Sequence, residues 1–272
     1  MYFIYGRKKL MKKRAMAAVS AVMCASMVLS ACGSSASTST TAAPAETKAA
    51  EESKTEETTA AAASGDVVTI NIGFENTTEE PIGQAVEKWA ELLKEESNGT
   101  MELKVFANSA LGNKSKLIDQ MVMGENVITI ADGAFYADYG VPDLGILYGP
   151  FFFDNWDEVW KLIDSDWYKE QCSKLADKGL TVLGSNWVYG ERELMTKDKA
   201  VVPADIKGKK IRLANSQIYV EGFNALGATA VPMALGDVYT ALQNGTLDGV
   251  ENPLSTLYGQ SFQEVTKNIL MT

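Results

Sequence analysis

From Val67 onward, short apolar runs alternate with segments of helical period, and this order constrains the fold more than any other feature of the chain. Val67 to Phe74 is a β-rich run ending at Gly73-Phe74. Pro81 to Ser97 repeats apolar side chains at Ile82, Val86, Trp89, Leu92 and Leu93, the spacing of one helix face. Asn98-Gly99 stops that helix and Thr100 to Phe106 alternates as a strand. Lys114 to Met123 reads as a helix ended by Gly124, and Val127 to Ala131 as a third strand. The order β-α-β-α-β is the signature of a parallel sheet covered by helices.

A less regular stretch follows, with an apolar cluster from Leu144 to Phe153, helices near Trp156 to Ile163 and Trp167 to Lys178, and a strand from Leu180 to Trp187. A second unit starts near Tyr189-Gly190. Its strands are Arg192 to Thr196, Lys210 to Ala214, Thr229 to Val231 and Thr246 to Val250; its helices are Ile218 to Leu226 and Asp237 to Gln243. Ala110-Leu111-Gly112 and Ala234-Leu235-Gly236 each open a helix ended by a glycine, a weak echo of two related halves. The expectation is two α/β lobes, residues 66–189 and 190–272.

The region before the lobes reads differently. Arg7, Lys8, Lys9, Lys12, Lys13 and Arg14 precede an uncharged Ala- and Ser-rich stretch from Ala15 to Ala31, too short and too weakly apolar for a spanning helix of roughly 20 residues. Leu29-Ser30-Ala31-Cys32 closes that stretch and resembles the bacterial lipobox, whose cysteine is acylated; the alternative is an ordinary signal peptide with a chance cysteine. Residues 1–32 are therefore expected to be a lipoprotein signal, complete from Met11, with Cys32 the lipidation site and anchor. Residues 33–65, nearly all Ala, Ser, Thr, Glu, Lys and Gly, read as a disordered tether. Cys24 falls in the signal, which leaves Cys172 in the body, expected as a small buried side chain rather than a reactive thiol.

Several functions are excluded by what the sequence lacks. It has no histidine, which removes Ser-His-Asp triads, Cys-His dyads and histidine-based metal sites. No Gly-x-Gly-x-x-Gly follows the first strand and no Gly-x-x-x-x-Gly-Lys occurs, so neither a nucleotide cofactor nor any other is called for. Carboxylate pairs for a glycosidase or lyase exist by abundance alone, without a spacing signature. Setting aside the six basic residues before Cys32 leaves 19 basic and 35 acidic residues, a balance of −16 that disfavours nucleic acid and anionic membrane surfaces. Of those 19, only Arg192 and Arg212 are arginines. An anion approaching so acidic a chain needs a local positive site, and a guanidinium matches a carboxylate through two parallel hydrogen bonds. Arg212, between Ile211 and Leu213 on a strand expected to be central, must reach either a cleft or one of the many acids; the residues alone leave both open.

Longer blocks carry a resemblance. Gly190-Glu191-Arg192-Glu193-Leu194, Ile206-Lys207-Gly208-Lys209-Lys210-Ile211-Arg212-Leu213, Ala228-Thr229-Ala230-Val231-Pro232-Met233 and the run from Asp237 through Asp248-Gly249-Val250-Glu251-Asn252-Pro253-Leu254 are similar, in order and spacing, to the TRAP transporter substrate-binding (DctP-like) family. Ser109-Ala110-Leu111-Gly112 and Gly149 to Phe153 agree with it, so the likeness runs from about Val67 to the last residue. It implies a two-lobed periplasmic-binding-protein-like (type II) fold with the ligand in the cleft between the lobes. Arg212 takes the place of the arginine that grips a substrate carboxylate bidentately, and Arg192 that of a second cleft arginine. Asn252 and Asn215 match polar contacts, and Asp132 a residue facing the distal part of the ligand. Leu235 falls at a lining position that is often aromatic, and Glu75 at a loop position that is more often neutral or basic. Bland readings stand beside these: Asn252 could cap the following helix, Asp132 could serve a turn, and Trp187 reads as hinge packing rather than a ligand platform.

What the resemblance implies is a monomeric, non-enzymatic extracytoplasmic receptor, held to the cell membrane by its lipid, that passes a small organic or sugar carboxylate to an integral-membrane TRAP permease. The rivals are a receptor of an ATP-driven importer and a carboxylate-dependent glycosidase or lyase. Members of the family continue past the position of Thr272, so the C-terminal elements of both lobes are expected to be missing from this chain.

Overall fold

The computed structural model describes residues 67–272 together with the strand β1, Tyr2–Gly6. The remainder of the expected signal, Cys32 and the expected tether at 33–65 lie outside the described residues.

Two five-stranded sheets organise the described residues. The first contains β1, β2 (Val68–Gly73), β3 (Met101–Phe106), β4 (Val127–Ala131) and β5 (Leu180–Gly184) in the order β3-β2-β4-β1-β5. β2 pairs in parallel with β3 and β4, as the β-α-β-α-β reading requires. β1 runs antiparallel to both β4 and β5, so the sheet is mixed rather than purely parallel. The helices are α1 (Pro81–Glu96), α2 (Lys114–Val122), α3 (Gly133–Asp138), α4 (Trp156–Ile163) and α5 (Asp166–Asp177). Their ends follow local chemistry: Pro81 opens α1, where a missing N–H costs nothing, and Asn113, Asn155 and Ser165 accept backbone N–H bonds at the starts of α2, α4 and α5.

Every residue of β4 is buried, because both faces of the sheet are covered. Ile128 and Ile130 pack with Ile72, Val86 and Leu103 under α1, while Val127 and Ala131 pack with Leu117, Met121 and Leu175 under α2 and α5. Each buried isoleucine contributes roughly 1.5–3 kcal/mol relative to exposure.

The second sheet contains β6 (Arg192–Thr196), β7 (Lys210–Leu213), β8 (Thr229–Pro232), β9 (Gly249–Pro253) and β10 (Asn268–Leu270) in the order β10-β6-β9-β7-β8, covered by α6 (Gln217–Ala225), α7 (Val238–Gln243) and α8 (Leu254–Gly259). β7 is interior, as the sequence predicts, and parallel to β8 and β9; β6 is antiparallel to β9. Two expected strands are placed differently. The strand expected at Thr246 to Val250 is displaced to Gly249–Pro253, because Gly245 holds a positive φ of 76° that closes α7 and leaves Thr246 to Asp248 in a turn. The strand expected to reach Trp187 ends at Gly184. Trp187 lies beyond it, edge-to-face on Trp89 of α1 with centroids 6.4 Å apart.

The units around the two sheets touch directly. Ser216 Oγ donates to the Ala134 carbonyl at 3.0 Å, Gln217 N–H donates to Asp138 Oδ2 at 3.2 Å, and Ala134 of α3 joins the apolar cluster of Leu213 and Tyr219.

Candidate functional site

The ends of β7 and β9 gather the site. Directly opposed residues in a sheet share a face, and alternate residues change face. Arg212 opposes Val250, and Asn252 lies two residues further along β9, so Arg212 and Asn252 share one face. Arg192 opposes Pro253 and Leu194 opposes Glu251, which places Arg192 and Glu251 on the other face.

Arg212 is 3% exposed and has no carboxylate partner within ion-pair reach among the described residues. Its Nε and Nη2 donate to the Met233 carbonyl at 2.9 and 2.7 Å, and Nη1 is buried with no hydrogen-bond partner. A guanidinium has five N–H groups in a fixed fork. The Met233 carbonyl takes the side edge; the end edge, formed by Nη1 and the second hydrogen of Nη2, is left to grip a second group. Burial lowers the pKa of Arg212 from its ordinary value, yet a guanidinium stays charged. A buried charge held by a single carbonyl is costly, and an arriving anion relieves that cost.

Arg192 is differently placed. Nη2 donates to Glu251 Oε1 at 2.7 Å and Nε to Oε2 at 2.5 Å, a forked pair that uses both oxygens of the buried Glu251 carboxylate. The Arg192 guanidinium carbon also lies 4.9 Å from the centre of the Tyr219 ring, which meets Tyr148 edge-on at 5.6 Å between centroids. Tyr219 is 7% exposed, its hydroxyl has no partner, and burial holds its pKa well above the ordinary value despite the nearby Arg192.

Glu75 comes from the other unit, just after β2, and its Oε1 accepts from Leu235 N–H at 3.4 Å; its charge acts on Arg212. Leu235 itself is buried among Val238, Leu242 and Leu257, so its backbone rather than its side chain faces Glu75. Asp132 is buried at the start of α3, where Oδ1 accepts from Ala134 and Phe135 N–H at 3.1 and 3.4 Å, and its charge acts on Tyr219. Where the sequence reading allowed Asp132 a turn, the structure makes it the N-cap of α3. Asn252 is buried within β9, and α8 is capped at Pro253, so the capping reading of Asn252 does not apply. Asn215 is exposed between β7 and α6 and makes no hydrogen bond to the cluster. The structure sets Glu75 and the Leu235 backbone near Arg212, and Arg192 and Asp132 around Tyr219; Asn252 shares the face of Arg212, and Asn215 is exposed.

Sequence reasoning missed Glu251, Tyr219 and a polar network centred on Glu80. Glu80, 2% exposed, accepts from Asn76 Nδ2 at 2.7 Å and from Thr77 N–H at 3.1 Å; from α8 and the residue after it come Thr256 Oγ1 and Gln260 Nε2, both at 2.9 Å. The Tyr189 hydroxyl joins the network at 2.7 Å from Thr256 Oγ1. Among the described residues no cation takes part. A cavity of about 250 Å³ beside it, lined by Pro81, Ile82, Trp187, Tyr189 and Ser255, carries no charged side chain and is separate from Arg212. Among the described residues no group of three acidic or sulfur ligands is placed to hold a metal, and no helix is long and apolar enough to cross a membrane.

Arg212 is thus a buried, half-used arginine on whose charge Glu251 of its own unit and Glu75 of the other α/β unit act. Residues 72–272 match the family described as bacterial extracellular solute-binding protein, family 7 (DctP), and the chain belongs to it. It is 32% identical over 206 residues, 75% of this chain and 62% of the relative, to the 2,3-diketo-L-gulonate-binding periplasmic protein of Escherichia coli. To the C4-dicarboxylate-binding periplasmic protein of Rhodobacter capsulatus it is 31% identical, over 69% of this chain and 56% of that one. A TRAP periplasmic solute-binding protein from Ochrobacterium anthropi with bound L-fuconate superposes with a TM-score of 0.73 at 42% identity, covering 75% of this chain and 67% of the other. The fold is that of the TRAP periplasmic binding proteins. The chain spans about three fifths of the length of the curated relatives it matches.

Proposed function

We propose that this protein captures a small organic or sugar carboxylate outside the cytoplasm and delivers it to an integral-membrane permease of the TRAP type, without chemical turnover. The observation that carries the reading is the end edge of Arg212: a permanently charged, buried fork, left unpaired beside residues contributed by both units. The carboxylate-binding relatives support it. In this reading the lobes are residues 66–189 and 190–272. Arg212 binds the carboxylate, while Arg192, Asn252, Glu75, Asp132 and the Leu235 backbone surround the rest of the ligand, and Asn215 reaches the ligand only if the cleft rearranges. Cys32 carries the lipid that keeps a monomeric receptor at the membrane surface, with 33–65 as its tether.

Isothermal titration against a panel of organic and sugar acids tests the reading. A ligand should bind to the wild type, and Arg212→Lys, which keeps the charge and loses the planar fork, should weaken it at least ~100-fold, about 2.7 kcal/mol. Affinity surviving within a few-fold, or conversion of the ligand on prolonged incubation, would overturn it.

A further inference from the structure

One amphipathic helix is left without a core of its own. The apolar side of α4 carries Trp156, Val159, Trp160 and Ile163, yet none of its residues is buried. Trp156 and Trp160 stack on each other, with centroids 5.9 Å apart and ring planes inclined by 28°. The turn leading into α4 adds Phe151 and Phe152, 85% and 52% exposed. Phe151 holds a positive φ of 56°, which bulky side chains rarely adopt. A single exposed apolar residue is ordinary; three exposed aromatic rings between residues 151 and 156 mark an interaction surface. Hydrogen bonds fix the turn to the helix: Asn155 Oδ1 accepts from Glu158 N–H at 3.2 Å, and Glu158 Oε2 accepts from Asp154 N–H at 3.1 Å. The rings are therefore presented with little freedom left to lose. Just before them Tyr148 meets Tyr219, and Pro150 lies 3.7 Å from where a Cβ on Gly222 of α6 would stand, so the turn sits at the seam between the two units.

Charge selects what this face can meet. Asp154, Asp157, Glu158 and Asp164 are exposed, and none has a cation within 4.0 Å among the described residues. A second copy would set the same acids against these, and an anionic lipid surface would be repelled. A basic protein surface is complementary. We propose that Phe151, Phe152 and Trp156, with Asp154, Asp157 and Glu158 beside them in the chain, form the docking face for the integral-membrane permease, whose matching surface carries lysine or arginine around an apolar seat. The inference rests on the receptor reading above and uses none of the side chains assigned to the solute. Aromatic rings supply the buried centre of such interfaces, and the charges around them steer encounter and fix register. At the seam, a partner seated on the turn also touches the element whose position depends on how the two units meet.

Titration of the full chain, saturated with the acid that binds in the panel above, against TRAP permease reconstituted in nanodiscs of zwitterionic lipid tests this. Wild type should bind, and more weakly as salt rises. Phe151→Ser should weaken binding at least ~10-fold. Asp157→Lys should slow association and flatten the salt dependence. Solute affinity and Tm should be unchanged in both variants. Permease affinity equal to wild type in both would overturn the proposal and leave the receptor reading standing. Equal binding to nanodiscs without permease would overturn it in favour of lipid, and self-association lost in Phe151→Ser in favour of a second copy. A lowered Tm in Phe151→Ser would overturn it in favour of a segment of the protein itself. Failure of the wild type to bind the permease, with or without the acid, refutes the delivery reading beneath it.

Discussion

Gly259 ends α8 directly against Glu80, and replacing it with alanine perturbs the contact between the two units with the smallest possible change. A Cβ there would lie 2.4 Å from Glu80 Cγ and 2.8 Å from Cδ, well inside van der Waals contact, so the carboxylate must move. Alanine favours helix over glycine by about 1 kcal/mol, an upper limit at this terminal position. Against this stand the bonds from Thr256 and Gln260, both 2.9 Å, which hold the Glu80 carboxylate to the second unit. Hydrogen bonds to a charged group contribute about 1.5–3 kcal/mol each, so losing both removes about 3–6 kcal/mol. The net expectation is a destabilisation of about 2–5 kcal/mol, which for a body of this size lowers Tm by roughly 5–15 °C. Calorimetry or a urea titration of Gly259→Ala reads it. Glu80→Ala supplies the control, since with that carboxylate gone Gly259→Ala should become neutral or mildly stabilising, and the cycle should show strong coupling. Equal stability of wild type and Gly259→Ala, or additive effects of the two substitutions, would show that Glu80 does not hold the units together.

Two further outcomes are expected. Burial of the Tyr189 hydroxyl in the same network raises its pKa from the ordinary value of about 10 to about 12, so the folded state holds that proton more tightly than the unfolded chain. That contribution is complete below pH 10 and is lost as pH rises through 12, up to roughly 2–3 kcal/mol; the stability difference between wild type and Tyr189→Phe should be constant below pH 10, set by the lost hydrogen bonds, and change with pH only in that window. Gly249→Ala, whose Cβ would sit 2.7 Å from the Met195 carbonyl and 3.0 Å from Ile211 Cδ1, should force β6 and β9 apart and cost several kcal/mol in a denaturant titration, and retention of wild-type stability would contradict the packing described for β9.

What the sequence revealed and what it hid differ in kind. Elements bounded by local chemistry were legible: Pro81 and Asn98-Gly99 bracket α1, Gly124 ends α2, and the β-rich run Val127 to Ala131 marks β4 as a strand. Arg212 stood out because arginine is scarce in the body and because two apolar neighbours placed it inside a sheet. Glu251 and Glu80 gave no such sign. Nothing local distinguishes them from the other acids, and their roles exist only once strand register sets Glu251 beside Arg192 and once α8 arrives beside Asn76 from 180 residues away. The displaced β9 has the same origin. Thr246 to Asp248 has strand-like residues, yet the positive φ at Gly245 and pairing of Glu251 and Asn252 with Leu194 and Glu193 move the strand forward by three residues.

The pairing of Tyr2–Gly6 between β4 and β5 bears on how such a chain is made. Proteolysis before Cys32 and a five-stranded first sheet exclude one another, because the fourth strand in the order lies upstream of the cut. Removing it would part β4 from β5 and deprive Ile128 to Ala131 of their β1 ladder partners, leaving Ile128 and Thr129 paired with β2 alone. Export and maturation would then have to run before this sheet closes, or a different strand would have to take the vacated lane afterwards. If the expected cut before Cys32 is made, the stability of the precursor and that of its processed product are two separate quantities.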